Sequence, residues 1–189
     1  MSTLMVRSVS GTPTVSNFAN MDGTPIVVDS ATGNAYTLVA GVVTLLGARQ
    51  YDYAEGTWTP VITFETIGNL SVVYSAQVGF YTKIGRLVTV NFAITTSTFT
   101  HTTASGALEI TGLPYTSLTA AGIAHIGALQ WRGITIANYT DMATRVASNS
   151  TLIRIAASGS GQAQTDISAT DMPTGGTVIL RSTITYIGA

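Results

Sequence analysis

Leu87-Val-Thr-Val-Asn-Phe-Ala-Ile-Thr95 alternates residue by residue: Val88, Val90, Phe92 and Ile94 fall on one side, Thr89, Asn91 and Ala93 on the other. A period of two belongs to an extended strand with one face buried. The same pattern recurs on both sides of this stretch. Upstream, Trp58, Pro60, Ile62 and Phe64 alternate with Thr59, Val61 and Thr63, and Leu70, Val72 and Tyr74 with Ser71 and Ser75. Downstream, further strands are expected at 107–111, 123–131, 134–139, 151–156 and 177–187. In the last, Val178, Leu180, Ser182, Ile184 and Tyr186 share a face. Turn residues separate the runs, as in Ile67-Gly-Asn69, Lys83-Ile-Gly85, Gly112-Leu-Pro114 and Ser158-Gly-Ser-Gly161. Many short strands without intervening helical periodicity predict an all-β fold: an antiparallel, jelly-roll-like sandwich over residues 51–189.

The first fifty residues read differently. Residues 1–21 are polar and weakly patterned, and are expected to be extended or ordered only on a partner. Gly23-Thr-Pro-Ile-Val-Val-Asp29, the turn Ser30-Ala-Thr-Gly-Asn34, Ala35-Tyr-Thr-Leu-Val39 and Gly41-Val-Val-Thr-Leu-Leu46 then predict a small hairpin or three-strand module. Such a unit is marginal alone in water, so residues 1–50 are expected to act as an attachment segment packed on symmetry mates or on the surface that anchors them.

Composition narrows the class. Charged residues make up 9 % of the chain, against about 25 % in an average soluble domain, while 46 % are hydrophobic. The densest apolar stretch, Tyr36 to Ala48, is interrupted by Thr37, Gly41, Thr44 and Gly47 and is shorter than the roughly 20 residues that span a bilayer. A surface of Thr, Ser, Asn and Gly suits pleated structure and burial against copies of the same chain, where a charge is costly to desolvate. Association with copies of the same chain is therefore expected. The net charge of −1 and the dispersed Arg49, Lys83, Arg86, Arg132, Arg145, Arg154 and Arg181 give no basic footprint for nucleic acid. They read as solubilising or inter-subunit charges. With no cysteine, disulfides and thiolate metal sites are excluded. No signal peptide is visible at Met1-Ser-Thr-Leu-Met-Val-Arg7, so synthesis in the cytoplasm is expected.

Glu55-Gly-Thr-Trp-Thr-Pro60 resembles the start of the C-terminal β domain of bacteriophage tail fibres and tailspikes. Tyr74-Ser-Ala-Gln-Val-Gly-Phe-Tyr-Thr-Lys-Ile-Gly-Arg86, Ile110-Thr-Gly-Leu-Pro114, Ser168-Ala-Thr-Asp-Met172 and Gly175-Gly-Thr-Val-Ile-Leu180 follow in that family's order, so the resemblance covers residues 51–189. It implies a virion protein that trimerises, contacts a host receptor or surface polysaccharide, or does both, and joins other virion proteins through residues 1–50. The long β-helix that carries the glycan-cleaving site in tailspikes has no counterpart in the fifty residues here, so the resemblance carries no depolymerase activity with it. A head fibre or capsid decoration protein, and a stand-alone lectin, are the competing readings.

No catalytic set, cofactor or metal site is expected. His101 and His125 stand apart without further ligands at plausible spacing, and His101 lies in a polar run that reads as a loop or edge. Glu55, Glu65, Glu109, Asp141, Asp166 and Asp171 are scattered singly, whereas glycoside hydrolysis needs two acids about 5–10 Å apart. No nucleophile elbow, phosphate loop or dinucleotide fingerprint is present. The expected contacts are with glycan. Trp58 reads as core, and Trp131 with Arg132 at a strand end reads as a binding pair, with Tyr139, Asp141 and Tyr115 adding polar contacts.

Overall fold

A computed structural model describes residues 4–19, 24–47 and 52–189. The chain divides into two compact units, Met1–Tyr51 and Asp52–Ala189. The expected start of the N-terminal module at Gly23, the division at residues 50 and 51, and Arg49 lie outside the described residues.

The N-terminal unit is a four-stranded sheet in the order β1-β2-β3-β4, built from β1 (Leu4–Val9), β2 (Thr24–Asp29), β3 (Ala35–Val39) and β4 (Val42–Gly47). This corrects the expectation of a hairpin or three strands preceded by an unpatterned lead. β1 pairs with β2 in parallel, and a parallel pair needs a crossover of about a dozen residues or more. The polar residues after Val9 supply it, including a 3-10 turn at Val15–Phe18 that buries Phe18. β2 and β3, then β3 and β4, pair antiparallel. Asp29 ends β2 buried, its carboxylate accepting from the Gly11 N–H at 2.8 Å, the Ala31 N–H at 2.9 Å and the Thr32 hydroxyl at 2.7 Å. Asp29 thus fastens the loop after β1 to the turn after β2.

The second unit is a sandwich made from one continuous sheet. Its strands are β5 (Tyr53–Trp58), β6 (Val61–Thr66), β7 (Ser71–Ile84), β8 (Leu87–Thr100), β9 (Ser105–Thr111), β10 (Ala124–Arg132), β11 (Asp141–Ala147), β12 (Leu152–Gly159), β13 (Gln162–Asp166) and β14 (Ile179–Ile187). They run β5-β7-β8-β14-β10-β11-β12-β9-β6, with β13 beside β12, and each of these pairings is antiparallel. The two ends of this path, β5 and β6, are consecutive in the chain and joined by Thr59-Pro60 alone. A sheet whose first and last strands are two residues apart has to roll over on itself, and the rolled interior is the core.

Contacts across the seam confirm the closure. The Ile62 N–H on β6 donates to the Tyr74 hydroxyl on β7 at 2.9 Å, and the Gln77 side-chain amide donates to the Pro60 carbonyl at 2.9 Å. Trp58 lies buried beneath β7 and β8, its Nε1–H shared between the Phe80 and Asn91 carbonyls at 3.3 and 3.2 Å. Inside are Phe64, Val88, Val90, Phe92, Ile94, Ile110, Ile153, Val178, Leu180, Ile184 and Tyr186, so the alternation of 87–95 and of 178–186 marks the core face.

Four local expectations are corrected. The run from Trp58 to Phe64 is two strands, because Pro60 has no N–H for a ladder; Trp58, Pro60, Ile62 and Phe64 are nonetheless all buried. Residues 134–139 form no strand: Asn138 adopts a positive φ of 67°, and Ile134, Ile136 and Tyr139 lie from a loop against the core. β11 and β13 escaped the reading; β11 alternates through Met142, Thr144 and Val146, and its middle inward residue is polar, bonded to Ser182 at 2.8 Å. His101 is no exposed loop residue: it is buried just after β8, with ring centroids 5.2 Å from Phe64 and 5.6 Å from Phe99.

Candidate binding surfaces

The outward face of β7, β8, β14 and β10 carries a shallow groove of about 600 Å³. Strand register builds it. Phe80, Asn91, Thr183 and Ala128 stand opposite one another in consecutive strands, and Val78, Ala93, Arg181 and Gln130 form the next outward row. Phe80 is 57 % exposed, although it follows Gly79 and precedes Tyr81, which face inward. The polar groups hold one another in place: Thr183 donates to the Asn91 side-chain carbonyl at 2.6 Å, and Arg181 Nη1 to the Gln130 carbonyl at 3.3 Å. Arg181 is the one ionised side chain among the residues lining the groove. Phe80 also borders a second depression of about 290 Å³, with Glu55, Thr57 and Thr82.

Farther round the sheet, the charges that look scattered in sequence converge. Arg154 on β12 bonds Glu65, Glu109 at 2.9 Å and Asp166 at 3.3 Å, while Arg145 on β11 reaches both Asp166 oxygens at 2.8 and 2.7 Å. Cross-strand register brings them together: Arg145 pairs with Arg154, and Arg154 with Glu109. All three carboxylates are committed to guanidinium groups, so this cluster ties β6, β9, β11, β12 and β13 together. Among the described residues, no group of three or more His, Asp or Glu side chains is placed to hold a metal ion.

Of the five residues expected to touch glycan, four flank one connection and one lies elsewhere. Trp131 and Arg132 end β10, both exposed, with Arg132 paired to Ile179 at the start of β14. Tyr139 and Asp141 lead into β11; Tyr139 donates to the Ala163 carbonyl at 3.0 Å. By strand alternation Arg132 continues the face of Gln130, and Trp131 takes the opposite one. Tyr115 sits at the far end of β14, its carbonyl accepting from the Tyr186 hydroxyl at 2.8 Å and its ring 5.6 Å from Tyr81. Tyr186 lies seven positions beyond Ile179, roughly 23 Å along a strand. The groove residues Phe80, Asn91 and Arg181 were missed. The available signal was Val78-Gly-Phe-Tyr81, apolar on both faces within an antiparallel sheet whose outer face is ordinarily polar.

The described helical turns are short, and no helix is long and apolar enough to cross a membrane. No family model matches the chain, and no curated protein matches it. Among solved structures, the crystal structure of the Dettilon tailspike protein (gp208) shares the fold, with a TM-score of 0.52 at 18 % identity over 70 % of this chain. The matched part is 23 % of the tailspike chain. The class defined by the fold is therefore an all-β sandwich of the kind found within a tailspike protein.

Proposed function

We propose that the chain is a structural subunit of a bacteriophage particle, a homotrimeric fibre or spike fixed by its N-terminal unit and presenting the sandwich to the host surface. The observation that carries this reading is the open edge of the N-terminal sheet. Among the described residues β4 pairs with β3 only, reads Val42-Val-Thr-Leu-Leu-Gly47 without a single charge, and leaves Val42, Leu45 and Leu46 exposed, as are Val6 and Val39 elsewhere in the unit. Unprotected apolar edges are templates for pairing with another chain, and proteins that stay monomeric blunt them with charge or proline. An assembly partner on β4 satisfies both its backbone groups and its side chains. The likeness of the sandwich to part of a tailspike, and the resemblance of Glu55-Gly-Thr-Trp-Thr-Pro60 to fibre domains, support a virion setting.

Light scattering on the full chain tests the assembly. The expected mass is three times the 19.6 kDa of one chain, falling to one chain when Val42→Lys and Leu45→Lys are combined. A monomeric wild-type chain at micromolar concentration overturns the proposal.

A further inference from the structure

We propose that the open edge of β4 pairs with the β1 edge of the next copy, so that three N-terminal sheets close head to tail into one continuous ring. The inference rests on the trimeric reading above and names the partner of its exposed β4 edge.

Symmetry excludes the simpler contact. Two β4 edges can pair with each other only about a two-fold axis, because that contact uses the same patch on both copies. A three-fold ring needs two different patches, each meeting the other. The N-terminal sheet has two such edges: among the described residues β4 pairs with β3 only, and β1 with β2 only. A dimer through β4 would leave both β1 edges open. The head-to-tail ring leaves no edge uncovered.

Strand direction fits the same arrangement. β1 runs parallel to β2, β3 antiparallel to β2, and β4 antiparallel to β3, so β4 points the same way as β1. Rotation about an axis along the strands preserves that direction, and β4 of one copy then meets β1 of the next in parallel.

The two edges also match in length and charge. Each is a six-residue strand, Leu4–Val9 and Val42–Gly47. β4 carries no charge, and Arg7, the one charge on β1, spends an N–H on the Asn17 carbonyl at 2.9 Å. Neither edge therefore repels the other. An edge of that length is about 20 Å long and the sheet about 10 Å thick, so one contact buries about 400 Å² over both partners. A stable interface needs roughly 1,200 Å². One contact in a dimer falls well short of this, and the three contacts of a closed ring reach it.

The chain has no cysteine, which makes directed disulfides a clean test. Val6→Cys is combined in turn with Val43→Cys, Thr44→Cys and Leu45→Cys, sampling both sides of the β4 pleat, beside each single variant. Within one copy β1 and β4 lie three strand spacings apart, about 14 Å. A disulfide spans at most roughly 7 Å between Cα atoms, so any link joins two copies. After mild oxidation, at least one double variant is expected to run on a non-reducing denaturing gel at three times the 19.6 kDa of one chain, and every single variant as one chain. A dimer band from a single β4 variant would mean that β4 meets β4, and overturns the ring. So would the absence of links from all three double variants, where light scattering of the reduced proteins finds trimers; the assembly reading then stands. A monomeric wild-type chain ends both.

Discussion

His101 carries a polar atom that the core does not use. Its Nε2 is buried and has no hydrogen-bond partner among the described residues, in a nest formed with Phe64 and Phe99. An unpaired buried donor or acceptor costs about 1–3 kcal/mol, whereas an apolar group of similar shape costs nothing of the kind. His101→Phe is therefore expected to raise stability by about 1 kcal/mol, the larger ring extending toward the open depression of about 220 Å³ beside Met172. Denaturant midpoints decide it, and a destabilised variant would show that Nε2 meets a partner in solution. Tyr186 makes the opposite case, since its hydroxyl is buried but bonded to the Tyr115 carbonyl. Burial pushes that hydroxyl up to about 12, while an unfolded tyrosine titrates near 10. Between those values the unfolded chain has lost a proton that the folded chain keeps. The stability that Tyr186 contributes is thus whole below about pH 10 and falls by about 1.4 kcal/mol per pH unit up to 12. Tyr186→Phe should remove that share of the alkaline decline; equal slopes for both chains in urea titrations at pH 9 to 12 would refute the assignment.

At the scale of elements, the fold depends on how β5 passes into β6. The chain has to leave one end of the sheet path and enter the other within Thr59-Pro60, and Gly112 makes space for it. Gly112 has φ +98°, and a Cβ there would lie 2.4 Å from the Thr59 carbonyl oxygen. Gly112→Ala therefore combines left-handed strain with a backbone clash, and is expected to cost on the order of 3 kcal/mol. Gly85, in the turn between β7 and β8, has φ +59° with open space around it, so Gly85→Ala should cost only about 1 kcal/mol. Equal losses in thermal melts would mean that the seam is not tightly closed. This seam also separates what was legible in the sequence from what was not. Period-two alternation marks which residues of 58–64 and 87–95 face inward, because that follows from local geometry. It cannot reveal that Trp58 and Phe64 belong to opposite ends of one sheet, which is a matter of long-range pairing. The loop at 134–139 mimicked a strand because Ile134, Ile136 and Tyr139 each reach the core, and β11 was hidden by a buried Thr144 whose partner, Ser182, is 38 residues away. Beyond the apolar run Val78–Tyr81, the groove was illegible for the same reason, since Phe80, Asn91, Arg181 and Gln130 come from four strands.

Across the whole molecule, the two units draw their stability from different sources. The sandwich surrounds a continuous core, and its two end strands, β5 and β6, are consecutive in the chain. Among its described residues the N-terminal unit buries few large side chains, chiefly Phe18 and Val27, and leaves Val6, Val15, Val39, Val42, Leu45 and Leu46 to solvent. A sheet of that size is marginal without further burial, and its Asp29 clasp weakens in acid. The Thr32 hydroxyl, with the Ala31 and Gly11 N–H groups, holds the Asp29 carboxyl below its ordinary 3.8 against the effect of burial. The stabilisation is present above that value and is lost as pH falls through the folded-state value. If association supplies the missing burial, the unit's melting must follow mass action while the sandwich's does not. In a trimer, a tenfold rise in concentration stabilises each subunit by about 0.9 kcal/mol, two-thirds of the 1.4 that a factor of ten represents. Calorimetry at 5 and 50 µM is expected to resolve two transitions. The first should shift upward with concentration and downward in acid, and the second should stay fixed with concentration at neutral pH and survive in a chain beginning at Asp52. A first transition that ignores concentration would mean that the N-terminal sheet completes its core alone, and its open edge would then need an explanation other than self-association.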